Sequence, residues 1–116
     1  MSFRSRPGID LTVLLAAGPM LCAQDTRNIR TGWEIPSETY ADQPYVVTTD
    51  DGAWLCILTT GPGREGNRGQ HVVSLRSEDR GRTWSRPVDV EPSDGPEASY
   101  AVLLKVPGGR VYAFYN

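Results

Sequence analysis

Ser77-Glu78-Asp79-Arg80-Gly81-Arg82-Thr83-Trp84 stands between two short apolar runs, His71 to Arg76 and Arg86 to Val90. The octet has the chemistry of a tight turn between strands. The Asp79 carboxylate can accept bonds from backbone N–H groups further along the turn, and Gly81 can take a positive φ at no steric cost. Thr83 brings a hydroxyl to the same turn. Trp84 brings a large apolar face to lay against the strands.

Working outward, the neighbouring segments are short, rich in β-branched and aromatic residues, and separated by turn residues. Tyr45 to Thr49 reads as a strand, Asp50-Asp51-Gly52 as a hairpin turn and Trp54 to Leu58 as the partner strand. Gly61 to Gly69 is a Gly-rich loop. His71 to Arg76 gives a third strand and Arg86 to Val90 a fourth, with Pro87 suited to an edge. The order then restarts: Tyr100 to Val106 is a strand, Pro107-Gly108-Gly109 a turn and Val111 to Tyr115 its partner, at an offset of 57 residues from Gly52 to Gly109. The unbroken apolar run Trp54 to Leu58 fits a sheet covered on both faces. The fold class expected is all-β: one four-stranded antiparallel meander about residues 42–92, and the start of a second at about 97–116.

In such a meander, the start of strand one, the loop between strands two and three and the connection to the next unit share one end. Residues 38–43, 61–71 and 94–100 therefore belong together. They hold Tyr40, Asp42, Arg64, Glu65, Arg68, His71, Glu97 and Tyr100. Loops held by a rigid scaffold tend to carry function, and Asp42, Glu65, His71 and Glu97 are the candidate binding residues. Each also has a plainer reading. Asp42 can bond its own turn, His71 can be a hydrogen-bonded strand-end residue, and the charges at Arg64, Glu65 and Arg68 can be a solvated face. No His, Cys or carboxylate spacing points to a metal, and the Gly-rich loop lacks the ending of a phosphate loop. Neither a metal nor another cofactor is expected.

The chain of 116 residues carries 12 Lys+Arg and 14 Asp+Glu, net −2. No basic stripe points to nucleic acid, and no polybasic segment points to a stable membrane association. Residues 1–23 read as a secretory signal peptide: Arg4 and Arg6 precede the largely apolar run Leu11 to Ala23, with cleavage before Gln24. This implies a secreted or periplasmic protein; a disordered tail is the alternative. Residues 24–41 form a polar lead-in. Removal of 1–23 takes away Cys22 and leaves Cys56, which sits in an apolar strand as a core residue.

The octet matches S-x-D-x-G-x-T-W at every fixed position and so resembles the Asp-box of the sialidase (neuraminidase) superfamily, with Ser77, Asp79, Gly81, Thr83 and Trp84 as its structural residues. The resemblance covers about residues 42–116 and implies a six-bladed β-propeller of Asp-box (BNR) repeats. A propeller needs about 4–8 blades of about 40–50 residues each. The chain would thus be the N-terminal part of a longer protein: blade one and the start of blade two. Sialidases open the first blade with Arg-Ile-Pro before an apolar strand and an Asp-Gly turn. Pro44 to Gly52 follows that pattern, but the arginine that grips the sialic acid carboxylate falls on Asp42. A carboxylate there repels what a guanidinium would clamp. The family's acid/base aspartate lies in the two–three loop, which here holds Glu65 and no aspartate. Its tyrosine nucleophile and glutamate partner come from later blades. The resemblance therefore implies a secreted sialidase-like glycoside hydrolase whose ligand is a glycan, on a sugar other than sialic acid. The alternatives are a non-catalytic glycan- or protein-binding propeller and an inactive fragment.

Overall fold

Cys56, Ile57 and Leu58 follow one another along a strand, and all three are buried. In a strand, successive side chains point to opposite faces, so a run like this requires cover on both sides. The computed structural model describes Asp25 and residues 27–116 and provides that cover. The expected signal peptide, 1–23, lies outside the described residues.

The described residues form two antiparallel sheets and no α-helix; a single 3₁₀ turn, Ile29–Thr31, lies in the lead-in. The first sheet contains β1 (Tyr40–Thr48), β2 (Trp54–Gly61), β3 (His71–Ser77) and β4 (Val88–Asp89), in that spatial order. The second is a hairpin of β5 (Val102–Lys105) and β6 (Val111–Phe114).

One face of β2 and β3 contributes Ile57 and Val72, which pack with Ala98, Ala101 and Leu103, flanked by Val47, Leu55, Val90 and Val111. This layer joins the two sheets. The other face contributes Cys56, Leu58, Val73 and Leu75, covered by Ile35 of the lead-in and by Trp84. Cys56 is the free cysteine among the described residues, and burial pushes its thiol up to about 11. It behaves there as a small apolar side chain.

The octet at 77–84 is a closed network. Ser77 Oγ accepts the Gly81 N–H at 2.7 Å and donates to Asp79 Oδ1 at 2.9 Å. Asp79 accepts the Thr83 N–H at 2.8 Å and the Thr83 hydroxyl at 2.7 Å. Those two bonds hold the Asp79 carboxyl down at about 2. Gly81 has φ 83°, and a Cβ there would come within 3.0 Å of the Trp54 ring. Both the backbone conformation and the space exclude a side chain.

Several strand boundaries differ from the sequence reading; β2 runs on to Gly61, past Leu58, as its pairing with β1 and β3 continues. β1 begins at Tyr40, five residues before Tyr45, because it crosses Pro44 on a β-bulge. Asp42 pairs with Thr59 and Tyr45 with Ile57, so Gln43 and Pro44 together stand opposite Leu58. Proline is tolerated where the ladder needs no donor. β4 shrinks to two residues, since Pro87 cannot donate and Arg76 takes its ladder bond from the Ser85 N–H instead, at 2.8 Å. β5 starts at Val102 because Tyr100 sits at φ 55°, outside strand geometry.

Candidate functional site

The register of β1–β2–β3 decides which side chains share an end and a face. Tyr40 pairs with Gly61, and Thr60 pairs with His71, so the start of β1, the loop 61–70 and the start of β3 lie together. The 49–53 turn and the 77–84 turn lie at the opposite end, where Trp54 pairs with both Thr48 and Ser77. The connection 94–100 returns to the first end, with the Ala98 N–H donating to Gln70 O.

These three segments enclose an open cleft of about 210 Å³, lined by Tyr40, Asp42, Glu65, Gly66, Gln70, Glu97, Ser99 and Tyr100. Asp42, Glu65 and Glu97, three of the four candidate binding residues, are brought together there. The fourth, His71, is not. It pairs with Thr60, whereas Asp42 pairs with Thr59, the adjacent residue on the same strand. Directly opposed residues share a face, so Asp42 and His71 sit on opposite faces of the sheet. His71 is buried, its Nδ1 lies 3.0 Å from Gly69 O, and its Nε2 faces Asp89 at 3.7 Å and Glu38 at 4.0 Å.

The bulge is what aims Asp42. In a regular strand, Asp42 and Tyr45 would face opposite ways, being three residues apart. The extra residue restores the phase, so Asp42 shares the face of Tyr45 and Val47 that turns toward the second sheet. Gln43 accommodates it at φ 47°. Left-handed backbone costs a non-glycine residue roughly 1–2 kcal/mol. Tyr100, on the facing connection, bears the same cost at φ 55°.

The loop 61–70 is held from within and from below. Gln70 donates through its amide nitrogen to Arg64 O at 2.9 Å and accepts the Gly66 N–H at 3.3 Å. Thr39 Oγ1 accepts the Gly63 N–H at 2.7 Å, tying the loop to the approach of β1. Thr60 Oγ1 accepts the Glu38 N–H and donates to Tyr40 O, both at 2.8 Å. Glu65 is thereby presented at the cleft, while Arg64 and Arg68 of the same loop do not line it.

Electrostatically the cleft is one-sided. Its walls carry three carboxylates and two phenols, with no lysine, arginine or histidine. Partial burial raises the pKa of the Tyr40 phenol, and the negative field of Asp42 and Glu65 raises it further, with a hydrogen bond to Asp42 adding to this. Beside Asp42, on the same face, stands Thr59. Its hydroxyl is buried and has no hydrogen-bond partner among the described residues.

Gln70 and Ser99 were not among the sequence candidates. Gln70 is legible only in retrospect, as a long amide closing a glycine-rich loop. Tyr40 and Tyr100 were placed at this end by topology. Their position on the cleft wall depends on the bulge and on the left-handed turn at residue 100. Among the described residues no cluster of His, Cys, Asp and Glu has the geometry to hold a metal ion, and no helix is long and apolar enough to cross a membrane. No family model matches this chain, and no curated protein and no solved structure matches it either.

Proposed function

We propose that the four-stranded sheet and the following hairpin are successive blades of a sialidase-like β-propeller, and that the Asp42 cleft is a glycan subsite of a secreted glycoside hydrolase of that type. The observation that carries this reading is the convergence of three separate segments on one cleft at the end away from the 77–84 turn. That turn's Ser–Asp–Gly–Thr–Trp network supports the Asp-box resemblance, and the bulge and two left-handed residues beside the cleft support a binding role. Bulges and strained backbone concentrate next to ligand sites.

Asp42 stands where the resemblance calls for a carboxylate-gripping arginine. The sign of the charge is reversed, so sialic acid is excluded as the preferred sugar. Carboxylate and amide oxygens accept bonds from sugar hydroxyls, and tyrosine rings offer flat faces to the C–H side of a pyranose. Glu65 is the carboxylate that the two–three loop supplies where the resemblance calls for the acid/base aspartate.

The test is a glycan panel applied to the chain and to Asp42→Ala, with binding followed by calorimetry and folding by circular dichroism. Non-sialylated sugars should bind, and Asp42→Ala should weaken them about ten-fold or more, the loss of one charge-assisted hydrogen bond, at unchanged fold. Tighter binding of a sialoside than of any uncharged sugar, or unchanged binding in a folded Asp42→Ala protein, would overturn the reading.

A further inference from the structure

We infer that the outer face of the β5–β6 hairpin is a docking surface, and that its occupant is a further bulged β-hairpin presenting short aliphatic side chains. The inference stands on backbone geometry and holds whether or not the cleft binds a sugar.

The second hairpin repeats the first at the offset of 57 residues that separates Gly52 from Gly109. Tyr45 pairs with Ile57 as Val102 pairs with Phe114, and Val47 pairs with Leu55 as Leu104 pairs with Tyr112. The turns close alike. The Thr49 N–H donates to Ala53 O at 2.8 Å and the Val106 N–H to Arg110 O at 3.0 Å, with Gly52 at φ 85° and Gly109 at φ 80°. The interruption of the ladder recurs too. Gln43 at φ 47° has its counterpart in Tyr100 at φ 55°. Beyond it, Asp42 pairs with Thr59, and Ser99 exchanges two backbone bonds with Asn116, at 2.9 and 3.2 Å. A bulge is a specific insertion in a ladder. Its return at the same offset makes the two hairpins equivalent units, not merely hairpins of similar length.

Equivalence says what belongs on the bare face. On the first sheet, Val47, Leu55 and Ile57 pack against Ala98, Ala101, Leu103 and Val111 of the second unit. Their counterparts, Leu104, Tyr112 and Phe114, share one face with Val102 and are about half exposed. Stacked repeats bury such faces only against a neighbour. The far side of the first sheet is already closed, with Ile35 and Trp84 over Cys56 and Leu58. A second copy of this chain has no aliphatic hairpin face to offer, because its own first sheet holds that face. The side chains to be covered are also bulkier here, Tyr112 in place of Leu55 and Phe114 in place of Ile57. Interiors pack to a fixed density, so the occupant's side chains must be as short as Ala98, Ala101 and Leu103, or shorter.

The test extends the full chain by one repeat. A second copy of residues 60–116, added after Asn116, continues β6 as Thr60 continues β2 and brings a further hairpin at the same offset. Hydroxyl-radical labelling read by mass spectrometry reports the exposure of Tyr112 and Phe114. Both should label readily in the parent and lose that labelling in the extended chain, falling to the level of the buried Leu75. Leu103→Glu in the added copy alone should restore it. Unchanged labelling in the extended chain, or protection that survives this substitution, would overturn the inference. So would an extended chain that circular dichroism shows unfolded, since the face would have rejected a unit built like its own. The parent gives a second reading. Leu104→Glu should leave its urea midpoint unchanged, because nothing covers the face until a partner arrives; a lower midpoint would count against the inference. Sedimentation of the parent as a dimer that Leu104→Glu dissociates would name a second copy as the occupant and overturn it too. None of these readouts depends on sugar binding, so the glycan reading stands or falls separately.

Discussion

Asp79 shows how much one side chain can organise. Its two oxygens accept the Thr83 amide and hydroxyl, and Ser77 donates to it as well. The folded chain therefore keeps the carboxylate ionised down to about 2, against 3.8 for a free side chain. Protons bind the unfolded chain first as pH falls, so stability from this group is complete above the unfolded value. It drains away as pH drops from about 3.8 toward about 2. Asp79→Asn should accordingly be less stable than the parent at pH 7, with the gap narrowing through that window and closing near its lower end. Urea melts of the two proteins at several pH values would check this; a gap independent of pH would contradict it. Asp51, also held at about 2, first by the Thr49 hydroxyl and then by Arg76, titrates in both proteins and cancels in the comparison.

At the scale of the element, β1 is the informative strand. Its second half reads directly from β-branched composition and the Asp-Gly turn: the Thr49 N–H donates to Ala53 O at 2.8 Å, closing the hairpin as expected. Its first half was not legible, because Pro44 ordinarily ends a strand and no pattern in the sequence announces a bulge. Deleting Gln43 tests what the bulge does. The shortened strand regains a regular ladder with Asp42 two residues before Tyr45, so Asp42 stays opposite Thr59 on the same face. The deletion also removes a left-handed residue that costs roughly 1–2 kcal/mol, so stability should change little or rise slightly. Binding at the Asp42 cleft should therefore persist, unlike in Asp42→Ala. A deletion variant that unfolds, or that loses binding while folded, would show that the bulge does more than set the face of Asp42.

Across the whole molecule, two contacts join the sheets, and their magnitudes are unequal. Lys105 Nζ lies 2.6 Å from Asp50 Oδ1, but both side chains reach solvent. Exposed pairs of this kind contribute about 0–1 kcal/mol. Leu103 is buried with Ile57, Val72, Ala98 and Ala101. Leu103→Ala should cost about 2–4 kcal/mol, within the range for emptying a buried leucine site, while Lys105→Ala should cost less than about 1 kcal/mol. Chemical denaturation would measure both, and hydrogen exchange at residues 102–105 should speed up in the first variant only. The reverse ranking would mean that charge, not packing, docks the hairpin. The hairpin's outer side leaves Val102, Leu104, Tyr112 and Phe114 about half exposed, as expected for a sheet with only its inner face covered.

The all-β class, the meander order and the turn at 77–84 were determined by the sequence alone, because each follows from local rules: short β-branched and aromatic runs, and the few residues that tolerate tight turns. Cys56 as core follows from the same run of apolar neighbours. The cleft was determined only in part. Topology gathers residues 38–43, 61–71 and 94–100 at one end whatever the details, and so Asp42, Glu65 and Glu97 meet. Which face each side chain takes is a matter of register, and register here turns on one bulged residue and one left-handed tyrosine. That is why His71, one strand position out of phase with Asp42, falls on the other side of the sheet. Tertiary structure alone decided it, since a shift of one residue costs little along the strand and reverses every side chain beyond it.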